Sequence, residues 1–107
     1  MRRNKFGAKK TVIDGVTFDS KKEAMRWLSL RLLESTGKIT RLERQVPIVV
    51  TYDHIKLFTY KADFAYFENG RRIFEDVKSP TTAKLPVYRL KKKLLWAILK
   101  IEIKEVI

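Results

Sequence analysis

The chain has 107 residues, enough for one folded domain but not two. Its 24 Lys and Arg against 12 Asp and Glu leave a formal charge of +12, which attracts polyanions by counterion release and makes nucleic acid the expected partner. Hydrophobic residues at 45% argue against disorder; the absence of cysteine removes disulfides, thiolate zinc sites and thiol nucleophiles; a single histidine, His54, leaves little for imidazole chemistry. No apolar run is long enough to span a membrane and none follows the basic N-terminus, so the expected location is cytoplasmic and the expected metal ligands are oxygens.

Residues 1–11, MRRNKFGAKKT, carry five positive charges and no negative one. They read as a flexible basic arm, with Arg2, Arg3, Lys5, Lys9 and Lys10 as candidate nucleic-acid contacts; an untethered terminus with incidental charge is the other reading. Residues 12–107 form the single domain. Asp14-Gly15 predicts a tight turn between two short extended pieces. Ser20-Lys-Lys-Glu23 fits a capping box, Ala24, Leu28 and Leu32 recur at helical spacing, and Gly37 supplies a stop, so a first helix of about four turns follows. Ile39 to Tyr52 reads as a strand whose Pro47 points to an edge or a bulge, and Asp53-His54 makes the next turn. Ile55–Glu68 and Arg71–Lys78 are two arms of a hairpin. After a loop from Ser79 to Leu85, Pro86 suits the first turn of a second helix running to about Leu99. Its expected buried stripe is Val87, Leu90, Leu94, Ala97 and Ile98, with Arg89, Lys91, Lys92 and Lys93 on the other side. Trp27 and Trp96 are assigned to the core rather than to base stacking. Alternation from Lys100 to Ile107 predicts a final strand. The element order is α-β-β-β-α-β.

The hairpin carries the chemistry. Asn69-Gly70 is a strong type I′ turn signal, since both positions need positive φ. Pairing Glu68 with Arg71 and counting outward sets Asp63 opposite Asp76, with Lys78 on the same face. Facing carboxylates about 5 Å apart repel, which calls for a cation between them. Asp63, Asp76, the Val77 carbonyl and Glu23 would form an oxygen set suited to Mg²⁺ or Mn²⁺. Lys78 would orient or deprotonate a water, or offset charge on a phosphate. Each residue also has a plainer reading: Glu23 as a cap partner, Asp63 as a surface ion pair with Lys61 or Lys78, Asp76 and Lys78 as a solvent face. Glu68 and Glu75 fall on the opposite face and stay outside the core set.

Asp63, twelve residues, then Asp76-Val77-Lys78 resembles the D…(D/E)-x-K signature of the PD-(D/E)XK nuclease superfamily, with Glu23 matching the acid on its first helix. More narrowly, TVIDGVTFDSKKEA, YKADFAYFENG, EDVKSPTT and YRLKKKLL resemble a family of short phage-encoded proteins placed in that superfamily and compared with Holliday-junction resolvases. Ala62 stands where the superfamily has its nominal proline, and the motif acid is Asp rather than the commoner Glu; neither departure removes a ligand. The resemblance implies an α/β, restriction-endonuclease-like core, with a mixed, mainly antiparallel sheet flanked by two helices. It implies a Mg²⁺- or Mn²⁺-dependent endodeoxyribonuclease with catalytic Glu23, Asp63, Asp76 and Lys78, and Tyr88, Lys91 and Lys92 near the DNA. A phage origin would place it in the host cytoplasm. With no separate recognition domain, branched or junction DNA is the expected substrate. A junction requires two symmetric cuts, hence a homodimer joined by Val46, Ile48, Val49 and Val50 or by the apolar end of the second helix. The alternative is a non-catalytic nucleic-acid-binding protein that retains the fold.

Overall fold

In a computed structural model that describes residues 10–107 of the chain, Asn69 and Gly70 have φ of 51° and 76° and join β4 (Ile55–Glu68) to β5 (Arg71–Val77). The pairing follows the expected register, from Glu68 opposite Arg71 to Phe64 opposite Glu75. β3 (Thr40–Tyr52) pairs antiparallel with β4 across a turn at Asp53 and His54, which reach φ of 51° and 64° without glycine. A first hairpin, β1 (Thr11–Ile13) and β2 (Val16–Phe18), turns at Asp14-Gly15. The expected arm lies outside the described residues, apart from Lys10, which is exposed, and Thr11, which already belongs to β1.

The main sheet runs β3-β4-β5-β6, with β6 (Ile103–Val106) parallel to β5. A parallel return needs a crossover, and α2 (Pro86–Leu94) with its continuation to Leu99 provides it. Helix α1 (Lys21–Ser35) covers the other side, so the protein is a mixed α/β fold of a four-stranded sheet between two helices, with the small hairpin beside α1. Pro47 lies on the sheet's edge strand, where its missing N–H removes no interior ladder bond. The last strand is shorter than expected: Lys100 adopts the left-handed conformation as the cap that ends the helical continuation, and pairing begins only at Ile103.

Two cores result. Ile48, Val50, Tyr60 and Ala62 pack with Tyr88 and Leu95 under α2; Phe18, Ala24, Leu30, Ile39, Phe64 and Tyr66 pack under α1. Residues two apart on a regular strand share a face, yet Ala62 belongs to one core and Phe64 to the other. The change of layer falls on Asp63. Opposite it, between the Arg44–Phe64 and Val46–Ala62 pairs, Gln45 sits at φ 50°.

Both helices are rolled relative to expectation. In α1, Leu28 and Leu32 are exposed, whereas Glu23, Ala24 and Leu30 are buried. The pair that sets the roll is Arg26 with Glu75: two guanidinium bonds of 2.8 Å reach a carboxylate without solvent exposure, which also accepts from the Tyr66 hydroxyl. In α2, Val87 and Leu90 are 65% and 58% exposed, and Tyr88 and Leu95 take the buried positions. Trp27 stacks on Phe64 at 5.9 Å between ring centroids, as expected for the core; Trp96, at 54% exposed, does not belong to it.

Removing Arg26 leaves the buried Glu75 carboxylate without its main partner. Arg26→Met is expected to cost about 3 kcal/mol in urea unfolding, and Arg26→Met with Glu75→Leu to recover most of that loss.

Candidate active site

The β4–β5 ladder stops at Phe64–Glu75, and the next pair, Asp63 and Asp76, is joined through side chains instead. The Asp63 N–H donates to Asp76 Oδ1 at 2.9 Å, and the Val77 N–H donates to Asp63 Oδ2 at 2.8 Å. Two amides that have lost their ladder partners are thus satisfied by two carboxylates, and each carboxylate is held by one oxygen. Asp76 is 1% exposed, and its Oδ2 is buried without a hydrogen-bond partner among the described residues. Burial pushes Asp76 up to about 6, against the Asp63 amide and the nearby Lys78 charge. Burial raises Asp63 as well, while the Val77 amide and Lys78 act in the opposite direction.

Glu23 arrives from the first turn of α1. Ser20 caps that turn, its Oγ accepting from the Glu23 N–H at 3.1 Å. The Glu23 carboxylate does not complete a capping box; it accepts from Gln45 Nε2 at 3.2 Å, at the left-handed position of β3. Glu23 is 5% exposed, and burial, helped by the charges of Asp63 and Asp19, pushes it up to about 7. The side-chain cap bond is made by Ser20, while the Glu23 carboxylate feels the backbone of Asp19 before the helix and the charge of Asp63 across from it.

Lys78 follows β5, its N–H bonded to the Val106 carbonyl at 2.9 Å. Its ammonium lies 4.6 Å from the centroid of the Tyr88 ring, and its charge acts on Asp63, Asp76 and Glu105. Tyr88 is buried and donates its hydroxyl to Glu105 at 3.1 Å, so that hydroxyl does not point to an outside ligand. Lys92 is also paired with Glu105. Lys91 lies over the Phe58 ring at 5.5 Å. Arg2, Arg3, Lys5 and Lys9 lie outside the described residues.

The structure therefore gathers Glu23, Asp63, Asp76 and Lys78, and adds four residues the sequence did not single out: Asp19, Arg44, Gln45 and Glu105. Arg44 acts on both Glu23 and Asp63 and stacks over Phe18 at 4.4 Å. Arg44 and Gln45 end the polar first half of β3, TRLERQ, and nothing in that pattern distinguishes them from a solvent face; the left-handed backbone at Gln45 is what the sequence did not signal. Glu75, left out of the set, lies on the α1 side with Arg26.

Among the described residues, no three of Asp, Glu, His or Cys form a ready metal-binding cluster. The donors nonetheless suit a hard cation: the free oxygen of Asp76 is buried without a partner among the described residues, burial destabilises the Asp63 anion, and burial together with the charge of Asp63 destabilises that of Glu23. No helix among these residues is long and apolar enough to cross a membrane.

A family model described as a protein of unknown function, DUF1064, matches residues 3–104, and the chain belongs to that family. No curated protein and no solved structure gives a significant match.

The raised acids carry a sign. A carboxyl whose folded pKa lies above its ordinary value favours folding when protonated, and that contribution is lost as pH rises through the folded pKa. For Asp76 and Glu23 the window runs from the ordinary 3.8 and 4.5 to about 6 and about 7. In chelator, Asp76→Asn should therefore exceed wild type in stability by roughly 3 kcal/mol at pH 8, with the gap narrowing below pH 6 and closing only near pH 4. Urea titrations of both proteins across that range check it.

Proposed function

We propose that this member of the DUF1064 family is a divalent-metal-dependent endodeoxyribonuclease of the PD-(D/E)XK type, with Asp63, Asp76 and Glu23 as carboxylate ligands and Lys78 as the cation beside the reacting phosphate. The observation that carries this reading is the buried, unpartnered Oδ2 of Asp76 beside a second carboxylate tied into the same strand fork. Asp63 and Asp76 are fixed by backbone amides, which holds their remaining oxygens in place before any ligand arrives. A Mg²⁺ or Mn²⁺ ion held there supplies Lewis acidity toward a phosphodiester oxygen.

Lys78 has one flank on the Tyr88 ring and its charge directed at both aspartates. From that position it neutralises a phosphate or holds a water at the phosphorus. Gln45 holds Glu23 Oε1 and so steadies the carboxylate near Asp63. The +12 charge supports DNA as the polyanion. Because phosphate contacts carry no base information, selection by DNA shape is the consistent reading, with branched DNA cut by a twofold dimer. In β3, Val49 is exposed and suits such an interface, whereas Ile48 and Val50 are core. Light scattering with and without a four-way junction tests the dimer: a monomer in both states removes it.

The alternative, a nucleic-acid-binding protein without catalysis, draws on the lack of a three-carboxylate cluster with metal-holding geometry among the described residues. Cleavage of junction and linear DNA with Mg²⁺ or Mn²⁺ separates the two. The nuclease reading expects activity that EDTA abolishes and that Asp63→Asn, Asp76→Asn or Lys78→Ala each reduces at least a hundredfold while binding stays within about threefold. Glu23→Gln should lose activity with little loss of stability, since Ser20 makes the cap. Activity in EDTA, or wild-type rates in the three variants, would overturn the site. Affinity should also fall steeply with salt, and deleting residues 1–10 should flatten the slope of log K against log salt by about 0.9 for each phosphate that the shortened chain no longer neutralises.

A further inference from the structure

Away from the paired acids, the exposed Trp96 stands between two open grooves. One, of about 580 Å³, is lined by Arg71, Arg72, Lys100 and Lys104 together with Phe74 and Trp96 itself; Glu102 is the acid among its lining residues. The other, of about 640 Å³, carries Arg89, Lys92 and Lys93 and is bounded by Glu102 and Glu105. The Lys100 ammonium lies 5.4 Å from the Trp96 ring centroid and the Arg72 guanidinium 5.2 Å from that of Phe74, so aromatic faces and cations alternate along the surface. Glu105 joins this surface to the candidate active site. It pairs with Lys92, accepts from Tyr88, and its Cα lies opposite that of Asp76.

Exposure alone asks nothing of Trp96, since Val87 and Leu90 are more exposed still; the cations gathered around its ring are what select an occupant. Seven cations line the two grooves with two acids; Arg72, Lys92 and Lys104 are paired with Glu43, Glu105 and Glu75, and Arg71, Arg89, Lys93 and Lys100 remain to favour a polyanion over a basic partner. A flat aromatic ring within reach of ammonium and guanidinium groups suits a ligand that alternates π-faces with phosphates. Duplex DNA keeps its bases stacked on each other and offers none to Trp96 except at an end. We infer that Trp96 and its flanking cations form a stacking platform for single-stranded nucleic acid, one base lying on the indole and the neighbouring phosphates on Arg71 and Lys100. The inference rests on the nucleic-acid reading given above and extends it: a strand that leaves the carboxylate site along Glu105 and Lys92 reaches Trp96, as an unpaired arm or flap would.

The test is equilibrium binding of a fluorescein-labelled 15-residue oligothymidylate to the full chain in EDTA, where no cleavage occurs. Trp96→Ala should weaken binding about tenfold and Trp96→Phe less than threefold, since a smaller ring still stacks. Arg71→Ala with Lys100→Ala should lower the salt slope by about 1.4. Oligothymidylate should quench wild-type tryptophan fluorescence and leave that of Trp96→Phe, which retains the packed Trp27, unchanged. Wild type that ignores the oligonucleotide, Trp96→Ala that binds it as tightly as wild type, or equal quenching in Trp96→Phe overturns the platform. Metal-dependent cleavage lost in Asp76→Asn would survive any of these results, so the two readings fail separately.

Discussion

The crossed bonds between Asp63 and Asp76 hold the site together. Where β4 and β5 part, two part-buried amides need acceptors, and an orphaned N–H there would cost on the order of 1 kcal/mol. The carboxylates answer that need from opposite strands, the Asp63 N–H to Asp76 and the Val77 N–H to Asp63. Because each acid is anchored to the partner strand, neither can turn without freeing an amide. The orientation of the site is thus a property of the sheet, and α1 and β3 only need to deliver Glu23 and Gln45 to a place already defined.

Much of this was legible in the chain. Asn69-Gly70 determined the hairpin turn, and counting from it gave the register out to Phe64 and Glu75; the expected pair beyond it, Asp63 with Asp76, is not a ladder pair and meets through a side chain instead. That the two acids would take over the ladder bonds was not legible, since the hairpin count carries no sign of where β4 and β5 part, nor of the left-handed Gln45 opposite Asp63. Helix roll was the other blind spot. Both α1 and α2 offer more than one apolar stripe, and the choice was made by polar contacts distant in sequence: Arg26 with Glu75 across 49 residues, Tyr88 and Lys92 with Glu105. Period alone assigns an apolar residue to a face; it does not say which face has a carboxylate waiting.

The charge distribution has an internal logic. Among the described residues, the buried charged ones are Glu23, Glu75 and Asp76, all acids, in a chain whose net charge is +12. Glu75 is neutralised by Arg26 and held below its ordinary range, whereas Glu23 and Asp76 lack an equivalent partner and are pushed above it. One buried acid is structural and two are left under electrostatic tension, an asymmetry common where a fold reserves groups for chemistry.

The division of the core at Asp63 bears on how the protein moves. β4 pairs with β5 only from Phe64 to Glu68, so its stretch from Ile55 to Ala62 is bonded to β3 alone and depends on α2 for cover. A two-stranded ribbon is marginal by itself, so it depends on α2, whose core also takes in Phe74 of β5 and Ile103 of β6 and so ties the ribbon to the rest of the sheet. Glu23 is carried by α1 and Tyr88, with the Lys78 ammonium over its ring, by α2, so the site draws on both faces of the sheet. Loosening of either helix therefore disturbs the site, and the amides of the Ile55–Ala62 ribbon, paired to β3 alone, should exchange ahead of those from Phe64 to Glu68.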